Sequence, residues 1–358
     1  MATEYFGWGR YGGIGKATRE IASGVADRGF DVHAVVPRGS GQRRVEMVEG
    51  VTIHSHPLYT YPFTGRLYRE IDADIYHSEE PSWGTLLAMN SVEDAAHMVT
   101  AQNPRTGEDW RRVRKYYPLR RRLYNRFIQP GVEAAVRRSD AVFCQARFIA
   151  CKTRELYGLE SEPGFLPNPV EIPKGIPLKS DIPTVCFLGR LDGEKSPETF
   201  FSLAESFPDA KFIAVGRAHN ATRDRRLRKR YGGVSNLEFS GFLTGEEKAR
   251  VLEESWVLVN TSVHECLPVS FLEAAAHRCA ILSPHDPDGF ATRFGYHAAA
   301  RDYAKGLSWL LEGDRWRERG ERGYRYVSAV HEKKGVIDRH VEVYEELLRG
   351  WATRPPWT

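Results

Sequence analysis

Two carboxylates, Glu265 and Glu273, stand with seven residues between them in the run 264–276 (HECLPVSFLEAAA). Spacing alone says little: with 47 acids in 358 residues, about six such pairs arise by chance. The surroundings say more. An apolar, strand-like run at 256–260 (WVLVN) precedes them, a turn at Leu267-Pro268 follows Glu265, and an alanine-rich helical pattern follows the turn. Proline supplies a fixed φ that the first turn of a helix accepts. A helix starting here would present backbone N–H groups and partial positive charge around Leu267, Pro268 and Val269, which suits a diphosphate or sugar oxygens. A carboxylate only accepts hydrogen bonds. Glu265 in the loop therefore suits sugar hydroxyls, and Glu273 in the helix suits both hydroxyls of a ribose. The competing reading makes Ser270 and Glu273 an S-x-x-E capping box and leaves Glu265 simply exposed.

Arg190 and Lys195 follow a second apolar run that ends Phe187-Leu188-Gly189. Cations beyond a strand end can neutralise the charge that develops as a sugar–phosphate bond breaks; the plain alternative is two surface cations. Glycines at Gly13 and Gly189 would let backbone approach a phosphate closely. The segment 105–126 carries nine Arg or Lys against two acids, interleaved with Trp110, Tyr116, Tyr117, Leu119, Leu123 and Tyr124. That combination suits anionic lipid headgroups at a membrane surface, and its alternative is a solvated helix and loop. The run 223–230 is basic without aromatics and reads as a solvated helix face. His54-Ser55-His56, with no cysteine or carboxylate cluster beside it, reads as a surface strand rather than a metal site.

The elements that must position these residues alternate between strand and helix. Residues 16–28 show helical periodicity closed by Gly29, and 32–36 read as a strand ended by Pro37. Apolar strands are expected near 98–100, 141–143, 184–188, 211–215, 256–259 and 280–283, with helices at 197–206, 246–254 and 338–348. Four prolines between 169 and 183 mark a linker. This is the pattern of doubly wound α/β domains, whose ligands lie beyond the C-terminal ends of the strands. A chain of 358 residues implies two such domains. The expected division is 1–172 and 173–335, with a terminal helix at 336–358 returning to the first. A Rossmann-like first domain needs a strand before the glycine loop, and only residues 1–6 are there to form it. Five scattered cysteines without a Cys-x-x-Cys pair argue for a reducing compartment and against structural zinc. A net charge of +4 is too small to imply nucleic acid, and no apolar run approaches a membrane span.

Six blocks, in order, resemble the retaining glycosyltransferases of family 4 (group 1 glycosyl transferases). They are Gly12-Gly13-Ile14-Gly15, Asp74-Ile75-Tyr76-His77-Ser78, Pro167-Asn168-Pro169-Val170, Phe187-Leu188-Gly189-Arg190-Leu191 with Lys195, Phe239-Ser240-Gly241-Phe242, and the Glu265/Glu273 signature. The resemblance implies the GT-B fold, two Rossmann-like domains facing across a cleft, and sugar transfer from a UDP-, GDP- or ADP-sugar. It implies no metal and no other cofactor, and a glycan, lipid-linked or small-molecule acceptor. Arg190 and Lys195 would then hold the diphosphate, Glu273 the ribose and Glu265 the transferred sugar. On the acceptor side the chain departs from the family, which commonly has a histidine after the strand at 98–101. Here stand Gln102 and Asn103, and Gln cannot act as a base. His77 is the remaining acceptor-side candidate, with a buried structural histidine as its alternative. The expected location is cytoplasmic, with peripheral contact at the inner membrane face through 105–126. Two rivals stay open at this stage. One is a non-catalytic nucleotide-sugar-binding protein. The other is an NAD(P)-dependent short-chain dehydrogenase, suggested by Gly13-Ile14-Gly15-Lys16 and opposed by the lack of any Lys four residues after a Tyr.

Overall fold

Apolar runs of four to six residues, each followed by a helical pattern, fold into parallel strands covered by helices, because such runs are buried on both faces only in that arrangement. The computed structural model describes residues 12–117, 119, 123, 126–299 and 301–352. The expected first strand at 1–6 lies outside the described residues. The chain divides into two units. One holds the described residues up to Glu108, then Tyr117–Pro169, and those from Lys333 on; the other holds Asp109–Tyr116 and Val170–Glu332.

Among its described residues, the first unit shows two sheets. β1 (Val32–Pro37), β2 (Val45–Val48) and β3 (Val51–His56) form one, in the order β1-β3-β2. β3 pairs parallel with β1 and antiparallel with β2. β4 (Ile75–Ser78), β5 (Ala96–Ala101), β6 (Ala141–Cys144) and β7 (Gly164–Phe165) form the other, all parallel and in chain order. The surface-strand reading of 54–56 is corrected here. β3 is the central strand of its sheet, Val51, Ile53, Ser55 and His56 are buried, and His54 stacks on His33 of β1 at 5.1 Å between ring centroids. The terminal helix Lys333–Ala352 packs Ile337, Val343 and Tyr344 against Ile21, Val25 and Met98. Gly24 permits that approach, since a Cβ there would lie 2.7 Å from Ile337.

Among its described residues, the second unit is built on one six-stranded, wholly parallel sheet. Its strands are β8 (Thr184–Leu188), β9 (Lys211–Val215), β10 (Leu237–Gly241), β11 (Val257–Val259), β12 (Ala280–Ser283) and β13 (Gly295–His297), in the order β10-β9-β8-β11-β12-β13. The chain order reverses between β8 and β11, and sheets of this kind bind ligands beyond the C-terminal strand ends at such a reversal. Phe200, Phe201 and Phe212 are fully buried in its core, each contributing about 2–3 kcal/mol of apolar burial.

The crossings between units differ slightly from the expected ones. Val170 already belongs to the second unit because its N–H donates to His331 O at 2.8 Å. Residues 109–116, expected in the first domain, cluster with the second. Strands β2, β7 and β13 had no apolar run to announce them. β2 alternates exposed with half-buried residues, and β7 and β13 are two and three residues long.

Candidate active site

The strand-end loops after β8 and β11 are knitted together by one backbone bond and a threonine hydroxyl. After β8 the chain turns through Gly193–Lys195, where Lys195 N–H donates to Asp192 O at 3.0 Å. Ser196 follows with a φ of 45°. Thr261 Oγ1 shares its one proton between Lys195 O at 2.8 Å and Ser196 O at 2.9 Å, and Val263 N–H donates to Glu194 O at 2.8 Å. These bonds hold Lys195 against Glu265, with Nζ to Oε1 at 2.5 Å. Glu265 Oε1 also accepts from Ser262 Oγ at 2.6 Å and Asn260 Nδ2 at 3.1 Å. Burial pushes the Glu265 carboxyl up, but the Lys195 ammonium and these donors outweigh it and hold the group down to about 2. Glu265 is therefore no free surface acid: its side chain is 10 % exposed, and that of Lys195 22 %.

Arg190 sits one residue past the end of β8's loop start, Gly189, whose N–H donates to Val215 O at 3.0 Å. Its guanidinium lies 3.6 Å from Asp192 and 3.3 Å from His219 Nδ1, while Asp192 lies 2.8 Å from His219. The two predicted cations thus have different partners, Lys195 on Glu265 and Arg190 on the Asp192–His219 pair. No motif marked Asp192 or His219. Beside them, a cavity of about 410 Å³ opens beyond β9 and β10, lined by Arg217, His219, Asp224, Arg228, Phe239 and Gly241. Gly216 at the end of β9 has a φ of 142°, and a Cβ there would stand 1.9 Å from Gly189 O, so only glycine brings these strand ends together.

The helix Val269–Ala276 begins as expected, with Pro268 as its N-cap at φ −72°. The capping-box alternative fails: no side chain caps this helix among the described residues. Glu273 instead pairs with Lys248, Nζ to Oε1 at 2.7 Å, from the helix Gly245–Glu254. Leu267 and Val269 bury their side chains, and Pro268 is half-buried. His264, just before Glu265, lies 3.6 Å from buried Asp109. Tyr116 packs on Gly193, where a Cβ would meet its ring at 2.7 Å. Asp109 and Tyr116 thus bring the 109–116 segment to both loops.

Gly13 opens the helix Gly13–Ala26 in the first unit. His77 is held at both ring nitrogens, by Tyr344 Oη at 2.7 Å and Thr100 Oγ1 at 2.8 Å, and its side chain is 11 % exposed. Burial keeps its pKa well below the ordinary histidine value. That is the geometry of a structural histidine tying the terminal helix to β4 and β5. Gln102 and Asn168 exchange amide hydrogen bonds at 2.9 and 2.8 Å, and Gln102 also donates to Glu79 at 3.1 Å. The Glu80 carboxylate accepts the N–H groups of Gln102 and Asn103 at 2.8 and 3.0 Å. Burial raises Glu79 to about 7, against the lowering bond from Gln102.

The arrangement can hold a polyanion beside a hydroxylated group. The family model "Glycosyltransferase Family 4" matches residues 11–173, and "Glycosyl transferases group 1" matches 170–319. No match was found among curated proteins. Among solved structures, sucrose-phosphate synthase from Thermosynechococcus elongatus is similar at a TM-score of 0.75 and 16% identity, over 95% of this chain and 94% of that one. HepE of Anabaena, in complex with UDP-glucose, gives 0.70 and 12% over 96% and 98%. WaaG, a glycosyltransferase involved in lipopolysaccharide biosynthesis, gives 0.67 and 15% over 96% and 99%. The dehydrogenase and non-catalytic alternatives fall with these matches. The two family models together span residues 11–319, and the chain belongs to the family 4, group 1 glycosyltransferases, enzymes of GT-B fold.

Proposed function

We propose that this glycosyltransferase moves a sugar from a nucleoside-diphosphate sugar to an acceptor hydroxyl with retention of configuration and without a metal ion. The observation that carries this reading is the Lys195–Glu265 pair, pinned between two loops at the point where the sheet order reverses. There Lys195 and Arg190 would take the diphosphate, Glu265 the hydroxyls of the transferred sugar, and Glu273 the ribose. In a front-face transfer the acceptor oxygen bonds to the anomeric carbon on the face from which the phosphate departs. The bond to the phosphate oxygen breaks, and that oxygen takes the acceptor proton. No protein base is then required, which accommodates Gln102 where relatives commonly carry histidine. UDP and UDP-glucose in complexes of the Anabaena relative support a nucleotide-sugar donor.

The acceptor side points to a lipid-linked molecule or glycan at an anionic membrane surface. Leu119, Leu123 and Phe127, four residues apart, are 67%, 51% and 72% exposed within the basic 105–126 segment and just beyond it. Among the described residues no helix is long and apolar enough to cross a membrane.

The deciding experiment is a thermal-shift panel with UDP, GDP, ADP and NADP⁺ on the wild type and on the double variant Arg190→Ala, Lys195→Ala. A ligand at about 100 times its Kd stabilises by roughly 2.7 kcal/mol. One nucleoside diphosphate should shift the wild type and not the variant. A response to NADP⁺ alone, or an equal response in the double variant, would sink the assignment.

A further inference from the structure

Glu273 does not stand alone. It is 6 % exposed in the first turns of a helix that is buried nearly all round, and burying a carboxylate without a partner favours its neutral, proton-donating form. A ribose diol needs the opposite, an ionised acceptor with fixed orientation. A cation suited to this is Lys248, on the helix that precedes β11. Its side chain is 18 % exposed, and its ammonium reaches Oε1 at 2.7 Å.

The geometry has a second consequence. Lys248 engages Oε1 and so restricts rotation of the carboxylate about its Cγ–Cδ bond. An ammonium carries three protons and accepts nothing. A vicinal diol presents oxygens that accept and hydroxyls that donate, so a carboxylate and an ammonium side by side match it better than either does alone. We propose that Lys248 and Glu273 act as one unit that recognises the ribose of the donor nucleotide, with Lys248 as the residue that positions the carboxylate and donates to a ribose oxygen. This rests on the donor-site reading above, in which Glu273 faces the ribose.

The test is isothermal titration of the full chain with UDP and 2′-deoxy-UDP, and with the corresponding guanosine and adenosine pairs. The variants are Lys248→Met, Lys248→Arg, Glu273→Gln and Lys248→Met with Glu273→Gln. The wild type should prefer the ribonucleotide about tenfold or more, the worth of one charge-assisted hydrogen bond. Lys248→Met and Glu273→Gln should each reduce that preference to about threefold or less, the double variant should lose no more than either single one, and Lys248→Arg should restore most of it. Melting temperatures of the same samples separate loss of discrimination from loss of fold, because a merely structural lysine would change stability and leave the ratio intact. Equal weakening of both members of a pair in Lys248→Met would overturn the proposal while leaving the donor site standing. Failure of every nucleoside diphosphate to bind the wild type would overturn the donor-site reading and this inference with it.

Discussion

At the scale of single residues, the site depends on charges that are removed from water only in company. Deleting one partner of such a pair leaves the other uncompensated, at a cost of about 3 kcal/mol or more. Lys195→Ala should therefore destabilise the second unit, Lys195→Ala with Glu265→Gln should destabilise it less, and denaturant titration of the four-protein cycle measures the difference. On the proposed donor site, in which Lys195 takes the diphosphate, turnover should fall in both by about a hundredfold or more. Acid acts on the same pair. The folded Glu265 carboxyl titrates near 2, below its unfolded value, so its stabilisation is present above the unfolded range and is lost as pH falls toward 2. Glu79 has the reverse sign. Its folded pKa, about 7, lies above the unfolded one, so its contribution is present at pH 4 and lost as pH rises through 7. Glu79→Gln, which keeps an acceptor for Gln102, should raise the melting temperature at pH 8 by roughly 2 °C or more and change it little at pH 5. A pH-independent shift would contradict that account.

At the scale of elements, glycines decide how closely loops approach. Gly216→Ala would force a Cβ against the Gly189 carbonyl at a backbone conformation foreign to L-residues. It should cost at least about 3 kcal/mol, and any folded remainder should lose affinity for nucleoside diphosphate. Gly193→Ala is gentler, because its obstacle is the Tyr116 ring. Tyr116→Ala should relieve it, so the double variant should be more stable than the two single losses added together, as calorimetry would show. The paired use of Gly193 and Tyr116 was hidden from the sequence, since neither residue belongs to a shared motif. The strands and helices that carry the site were legible. Apolar runs announced β8, β9, β11 and β12 to within a residue or two, because strands buried on both faces have to be apolar throughout. Short or half-exposed strands such as β2 and β13 gave no such signal.

At the scale of the whole molecule, the last helix is part of the first unit. Arg28 bonds Asp338 with Nε to Oδ1 at 2.7 Å, Lys333 pairs with Glu20 at 3.0 Å, and Tyr344 holds His77. Ending the chain at Glu332 should expose Ile21 and Val25 and leave the first unit aggregation-prone, while the second keeps its melting transition; two-transition calorimetry reads this directly. The exposed stripe of Leu119, Leu123 and Phe127 should carry the chain onto anionic vesicles in co-sedimentation. Leu123→Glu should abolish that binding without changing the melting temperature, and high salt should weaken it. Salt-insensitive binding, or indifference of Leu123→Glu, would remove the membrane from the acceptor reading.

The linear chain determined the alternation of strands and helices, the two-domain plan and the identity of the principal donor-site candidates. Each of these is written in local pattern: periodicity, a proline at a helix start, glycines at strand ends, cations and carboxylates at set offsets. What only the tertiary structure decided is who partners whom. Lys248 meets Glu273, Lys195 meets Glu265, Asp192 gathers Arg190 and His219, and His77 is spent on Tyr344 and Thr100. These pairs lie 25, 70, 2, 27, 267 and 23 residues apart. Apart from Arg190 and Asp192, no local rule couples such positions. A buried charge or imidazole takes its partner from whichever element the packing brings within hydrogen-bond reach.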